Sequence, residues 1–374
     1  MEVIIDGMIY QLQLHGGISR LFSEILPRMC QADETLDITL LMTGQSQQTL
    51  PHHPHIHVRS TPQIERFVKP HLVWRYPIRM LKEWWLRLSI GRTEGKIWHS
   101  TYFTMPKMWR GVIVVTVVDM IYELFPHLFN TIGASRFRKQ KRRCVLSAGA
   151  VICISETTRR DLLHFYSIDP DKVWVVPLGY SSTFKRLASL AERAESPVSG
   201  PFLLYVGSRA PYKNFKQLVE AYSLWQHRRE VSLVVVGGEW SPDEMKTLAG
   251  LGIYDRVRLL NKVDDEALCY LYNIAVAFVC PSLYEGFGIP LLEAMACGCP
   301  VVASRIPSTI EVTGDCPIYF DLGKTEDLLL ALDKVLLEGR DSQRSLAGLE
   351  RVKDFSWERA AEQTLKVYRS LGTL

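Results

Sequence analysis

Short apolar runs recur along the chain, spaced so that one helix fits between each pair. In the first half they fall at residues 3–5, 38–42, 112–118, 150–154 and 173–176; in the second, at 202–206, 233–236, 257–260, 276–279 and 301–303. Runs without polar alternation are what strands buried on both faces of a parallel sheet require. Between them lie segments with helical spacing of apolar positions, among them residues 20–30, 216–225 and 265–273. Strands alternating with helices predict βαβ units, and so an α/β chain whose parallel sheets carry helices on both faces.

The alternation pauses at residues 180–200, a polar stretch with Ser, Ala and Glu but no strand-like run. We read it as the linker between two doubly wound domains, residues 1–180 and 181–356. The length of 374 residues agrees, because a single core seldom grows that large. After Phe355, residues 357–374 have the pattern of one amphipathic helix.

Composition narrows the classes. Hydrophobic residues make up 47% and charged residues 22%, an ordinary globular balance. Of the eight cysteines only Cys297 and Cys299 lie close in sequence, and no second Cys/His cluster completes a zinc site. Reduced thiols in a reducing compartment and no metal are the expectation. Glu2 and Asp6 interrupt the first apolar residues, so no signal peptide is expected. The longest apolar run stops at Asp119, far short of the roughly 20 residues that span a bilayer. These features predict a cytoplasmic protein, at most peripheral at the inner face of the plasma membrane.

The net charge of +4 conceals a basic first half and an acidic second half. The basic half predicts an anionic partner there, either a phosphate-bearing acceptor or an anionic membrane surface. Within residues 75–92, Arg75, Arg79, Lys82, Arg87 and Arg92 are interleaved with Tyr76, Trp84 and Trp85, as in a helix lying at a membrane interface. Residues 136–143 form a second basic run, and solvated helix faces explain both equally well. Nucleic acid is disfavoured, because the second half is acidic and no reading motif is present.

The chemistry concentrates in three places, each following a strand. The first is Pro281-Ser-Leu-Tyr-Glu-Gly-Phe-Gly-Ile-Pro-Leu-Leu-Glu293. The loop Gly286-Phe287-Gly288 brings backbone N–H groups to a helix start, where Pro290 is tolerated and an anion is stabilised. Glu285 and Glu293 flank that loop. Carboxylates are poor phosphate ligands, so sugar and ribose hydroxyls on either side of a diphosphate are the better reading. The second place is the loop holding Arg209 and Lys213, where a doubly wound sheet binds its ligand beyond a strand's carboxyl end. Two fixed cations there can neutralise a departing diphosphate without a metal. The third is His15-Gly16-Gly17, a glycine pair opening a helix, a weaker signal of phosphate approach. Asp119 closes a strand and either faces the crevice or caps the next turn; Ser155 reads as a helix cap.

Taken together, these residues resemble retaining glycosyltransferases of family 4, the glycosyl transferases group 1. The resemblance rests on the Glu285-x7-Glu293 block with Ala294–Gly298, on Arg209 with Lys213-Asn214, on Gly16-Gly17 with Arg20, on Gly237-Gly238 and on Phe355-Ser-Trp357. It implies the GT-B architecture: two Rossmann-like domains facing a central cleft, the C-terminal helix crossing back to the first. It implies a metal-independent reaction without a cofactor. The donor substrate would be a UDP- or GDP-hexose, and the acceptor a glycan or polyprenyl-linked molecule bound by the first domain. Carried over by residue, Glu293 would bind the ribose, Glu285 the donor sugar, and Arg209 and Lys213 the diphosphate. The backbone of residues 287–289 and of Gly17 would help hold the diphosphate, and the Val263 backbone would meet the base. The family carries His-Asp where this chain has Val118-Asp119, which removes an expected contact to the sugar's 6-hydroxyl.

The expected activity is therefore hexosyl transfer with retention, in surface polysaccharide or exopolysaccharide synthesis. Two rivals remain. A dinucleotide-dependent oxidoreductase lacks its glycine fingerprint here. A catalytically silent sugar-nucleotide-binding or membrane scaffold protein remains open through the replaced histidine.

Overall fold

A computed structural model describes residues 1–13, 16–60, 84, 85, 88, 90–106, 109–189 and 198–372. Residues 75–83, 86, 87 and 89 of the basic aromatic segment, and His15, lie outside the described residues, so the expected membrane contact falls largely there. The chain forms two compact units, Met1–Leu178 with Trp357–Leu374, and Gly179–Ser356.

The first unit holds a seven-stranded sheet in the order β3-β2-β1-β4-β5-β6-β7. Its strands are β1 (Glu2–Asp6), β2 (Asp37–Met42), β3 (Ile56–Ser60), β4 (Ile97–Ser100), β5 (Val112–Val117), β6 (Ala150–Cys153) and β7 (Val173–Val175). The second holds a six-stranded sheet in the order β10-β9-β8-β11-β12-β13. These are β8 (Phe202–Val206), β9 (Ser232–Val236), β10 (Val257–Leu260), β11 (Ala277–Cys280), β12 (Val301–Ser304) and β13 (Ile318–Phe320). All pairings are parallel. Each sheet reverses direction once, at β1/β4 and at β8/β11, and ligands of doubly wound sheets bind beyond the strand ends at such points.

Three strands escaped the apolar-run reading. β3 exposes four of its five residues at a sheet edge. β4 buries a histidine among four residues, and β13 is three residues long. Edge and short strands need no continuous apolar run, because one face or one side is left to solvent.

The amphipathic C-terminal helix, Trp357–Leu371, packs on Gly17–Ala32 in the first unit. It buries Trp357, Ala360, Ala361, Leu365 and Tyr368. The Tyr368 hydroxyl bonds His99 Nδ1 at 2.5 Å, and His99 Nε2 bonds the Thr116 hydroxyl at 2.8 Å. Burial lowers the His99 pKa to about 3, so this inner hydrogen-bond chain joins neutral groups. Arg28–Glu358 and Arg369–Asp33, each at 2.7 Å, clamp the helix at its two ends.

Among the described residues no helix is long and apolar enough to cross a membrane. All eight cysteines are unpaired thiols.

Candidate functional site

The loops that follow β8 and β11 meet because those strands are neighbours at the second sheet's reversal. The Leu283 N–H donates to the Tyr212 carbonyl at 2.8 Å. The Asn214 side-chain amide donates to the Pro281 carbonyl at 3.1 Å. Ser304, at the end of β12, donates to the Ser282 carbonyl at 2.6 Å. Three successive strand ends are thus tied together by bonds to loop carbonyls.

This brings Lys213 and Glu285 together. Lys213 Nζ donates to Glu285 Oε1 at 2.7 Å and Oε2 at 2.8 Å, and the Ser282 hydroxyl donates to Oε1 at 2.6 Å. Burial opposes the Lys213 charge, but the Glu285 carboxylate outweighs it and holds the ammonium above its ordinary pKa. The pair lies in a recess also lined by Tyr205, Gly288 and Pro290.

Arg209 is held by a separate set of partners. Its Nε donates to Glu244 at 2.5 Å, and Nη2 donates to the carbonyls of Gly238 at 2.9 Å and Glu239 at 2.6 Å. The guanidinium lies 4.4 Å from the Trp240 ring centre. Nη1 is buried with no hydrogen-bond partner among the described residues. A buried, unpaired guanidinium N–H is costly, and an anionic oxygen is its natural partner. Gly237 makes room for this arrangement: a Cβ there would lie 2.6 Å from the Gly207 carbonyl oxygen and 3.0 Å from Arg209 Nη1. Glu244, Trp240 and Ser282 were not singled out from the sequence. Only Glu244 carried a signal, as the far member of the Ser241 capping box at the start of Pro242–Gly250.

The helix Ile289–Ala296 begins at Gly288, whose φ of +98° and ψ of 57° suit glycine. A Cβ there would also press on Leu291 Cδ1 at 2.7 Å. Gly288→Ala is expected to lower unfolding free energy by about 1–3 kcal/mol, measured by urea denaturation. An unchanged midpoint would show that the turn relaxes freely.

Glu293 lies beyond the first turn of this helix, so a dipole-complementing acid at the helix start is not its role. It is 3% exposed, and Tyr272 donates its hydroxyl to Glu293 Oε2 at 3.4 Å. Burial first, and the Glu293 charge next, push the Tyr272 phenol well above its ordinary pKa, so it remains a donor. Phe287 is buried with its ring 5.7 Å from Phe355, which fixes the loop between Gly286 and Gly288. Val263 is half-buried in the loop after β10, beside Lys262 at φ +54°.

Gly16, Gly17 and Asp119 belong to the first unit. Gly16 caps Gly17–Ala32 with extended backbone, and its carbonyl accepts from the Ser19 hydroxyl at 3.0 Å. Asp119 lies just beyond β5; its Oδ1 accepts from the Ile121 N–H at 3.2 Å, and its carbonyl accepts from Lys141 at 2.7 Å. Ser155 caps Glu156–Phe165 by accepting from the Thr158 N–H at 3.0 Å. Among the described residues no group of three or more His, Cys, Asp or Glu is placed to hold a metal ion.

Asp6 was also missed. It ends β1 at the first sheet's reversal, 4% exposed, accepting from the Met8 N–H at 2.8 Å and from the Thr104 hydroxyl. Burial is the largest influence and raises its pKa from 3.8 to about 6. The folded chain therefore holds this proton more tightly than the unfolded chain. The resulting stability is full below pH 3.8 and is lost as pH rises through about 6. Asp6→Asn cannot titrate, so its Tm should gain on the wild type as pH rises from about 4 to about 7. A constant difference across that range would rule the titration out.

Comparison with known proteins places this geometry. The family model described as Glycosyl transferases group 1 matches residues 189–347, and that described as Glycosyltransferase Family 4 matches residues 15–183. O-antigen chain mannosyltransferase B of Escherichia coli is 30% identical over 287 residues, covering 74% of this chain and 74% of its own length. Among solved structures, sucrose-phosphate synthase from Thermosynechococcus elongatus matches with a TM-score of 0.80 at 19% identity, over 99% of this chain and 98% of that one. HepE from Anabaena, in complex with UDP and glucose, matches with a TM-score of 0.71 at 17% identity, over 99% of each chain. The two Rossmann-like α/β domains are those of GT-B glycosyltransferases. The chain belongs to glycosyltransferase family 4, the glycosyl transferases group 1.

Proposed function

We propose that the protein is a retaining, metal-independent hexosyltransferase. It moves a glucose- or mannose-type residue from a UDP- or GDP-sugar to a glycan or polyprenyl-linked acceptor in surface polysaccharide or exopolysaccharide synthesis. The observation that carries this reading is the meeting of Lys213 and Glu285 at the β8/β11 reversal, with Arg209 on the same loop after β8 and the glycine-started helix Ile289–Ala296 following Glu285. The relationship to an O-antigen mannosyltransferase supports the hexose and the glycan pathway. The complex of HepE with UDP and glucose supports a nucleotide sugar as donor.

In this reading Lys213, Arg209 Nη1 and the backbone N–H groups of residues 287–289 hold the diphosphate. Glu285 takes sugar hydroxyls, Glu293 the ribose hydroxyls, and the Val263 backbone the base. The bond between the anomeric carbon and the diphosphate oxygen breaks first, leaving an oxocarbenium-like centre. The acceptor hydroxyl attacks from the same face, and its proton passes to the departing diphosphate. The protein contributes position and fixed positive charge, and no side chain forms a bond to the sugar. The first unit binds the acceptor, and the protein works in the cytoplasm or against the inner membrane face. Val118 in place of the family histidine leaves the 6-hydroxyl without that contact.

The test is incubation with UDP- and GDP-hexoses and an extract of lipid-linked glycans, following nucleoside diphosphate release and the product anomer by NMR. Release that persists in EDTA, with the donor's anomeric configuration kept, is expected. Inversion, or abolition by EDTA and restoration by a divalent cation, would overturn the mechanism. Binding of a sugar nucleotide without turnover would favour the silent scaffold instead.

A further inference from the structure

We infer that the outward face of the helix Ile132–Leu146, together with Trp84 and Leu88, docks the first unit on an anionic phospholipid bilayer. Such a face deepens the proposed placement against the inner membrane face, and depends on that reading only for which leaflet is met.

The helix is basic along most of its length. Arg136, Arg138, Lys139, Lys141, Arg142 and Arg143 are its charged residues, and it holds no acid. Two of these cations serve the fold. Lys141, 1% exposed, donates to the Asp119 carbonyl at 2.7 Å and to Glu123 at 2.9 Å, and Arg138 donates to the Tyr122 carbonyl at 3.4 Å. Arg136, Lys139 and Arg143 are exposed instead. Among the described residues their side chains make no ion pair and no hydrogen bond.

Helical spacing gathers the exposed groups. At about 100° per residue, Ile132, Arg136, Lys139, Arg143 and Leu146 fall within about 80° of arc. The buried Ala134, Lys141, Cys144 and Val145 occupy the opposite side. Ile132 is 75% exposed and Leu146 41%, so the stripe has cations in its middle and an apolar residue at each end. Cys144 and Val145 pack into the core cluster that holds Trp98, Val115 and Val151, on one face of the first sheet. Trp85 and Ile90 pack into that same cluster. Trp84, 60% exposed, and Leu88, 63% exposed, therefore belong to the layer covering the same sheet face.

This combination selects the partner. Arg136 and Lys139 are three residues apart, and Lys139 and Arg143 four, so while unpaired they repel one another along the helix. Any polyanion would relieve that repulsion. The exposed Ile132, Leu146, Trp84 and Leu88 need in addition an apolar layer just below the charge. The boundary between headgroups and acyl chains of an anionic bilayer supplies both. Tryptophan is favoured at that depth. A nucleic acid offers phosphates but no such layer.

Flotation of the full chain with vesicles tests this directly, comparing equal parts phosphatidylglycerol and phosphatidylcholine with phosphatidylcholine alone. Binding to the mixed vesicles, weakening as salt screens the charges, and little binding to the neutral ones are expected. Arg136→Gln/Lys139→Gln/Arg143→Gln should lower the partition coefficient at least about thirtyfold, since each basic residue near the surface contributes. Ile132→Ser/Leu146→Ser should lower it at least about threefold. Nucleoside diphosphate affinity, measured by calorimetry on the same variants, reports that they are folded. Equal binding to both vesicle types, binding to neither, or an unchanged partition coefficient in the Gln variant would overturn the inference. So would capture by RNA as tight as by the mixed vesicles and indifferent to Ile132→Ser/Leu146→Ser. A wild type that binds the mixed vesicles but no nucleoside diphosphate would instead sink the glycosyltransferase reading and leave the docking face standing.

Discussion

Replacing Arg209 and Lys213 together with Ala is expected to lower hexosyl transfer by at least about a hundredfold, the usual loss when a preorganised charge-stabilising group is removed. Both side chains are fixed before any ligand arrives, Arg209 by Glu244, two carbonyls and Trp240, and Lys213 by both oxygens of Glu285. Little reorganisation is then needed when the diphosphate charge develops. Lys213 also neutralises Glu285, so a purely structural role has to be separated. Lys213→Met combined with Glu285→Gln removes both charges at once. If Lys213 served only to position Glu285, adding Lys213→Met to Glu285→Gln would slow turnover no further; the diphosphate role predicts that the combined variant is much slower than Glu285→Gln alone. Nucleotide-sugar consumption, with Tm as the control, decides between them.

Glu293→Gln is expected to weaken nucleoside diphosphate binding by roughly tenfold to a hundredfold, because bonds from neutral donors to a charged acceptor contribute about 1.5–3 kcal/mol. The carboxylate is buried in the helix that starts at Gly288, with Tyr272 donating to one oxygen. A buried carboxylate is kept at a cost unless donors surround it, and a ribose diol supplies two. Tyr272→Phe removes one protein donor and leaves the carboxylate for the ribose. Weaker nucleotide binding in Glu293→Gln but not in Tyr272→Phe would assign the effect to ribose. An effect on Tm alone, equal in both variants, would make Glu293 a packing residue.

What the sequence showed of this fold followed from burial. The ten apolar runs all became strands, because strands sandwiched between helices must be apolar on both faces. β3, β4 and β13 were hidden, since exposed edges and the buried but polar His99 break that pattern. The glycines of the site were legible for a similar reason: Gly288 sits at a positive φ and Gly237 against the Gly207 carbonyl, constraints that glycine alone satisfies easily. The partners were not legible. Glu244 is 35 residues from Arg209, Glu285 is 72 from Lys213, and the Lys141 contact with Asp119 spans 22. Such pairings depend on which strand ends become neighbours, and sheet order is a tertiary outcome. Asp6 was passed over because nothing local distinguishes it; its interest comes from ending β1 at the β1/β4 reversal.

The central claim is that the loops after β8 and β11 bind a nucleoside diphosphate. Calorimetric titration of the wild-type chain with UDP, GDP and ADP, repeated on Arg209→Ala/Lys213→Ala, tests it most directly. Saturable binding of at least one nucleotide, weakened at least about tenfold in the variant, is the predicted result. Binding of none of the three, or equal affinity in wild type and variant, would contradict it.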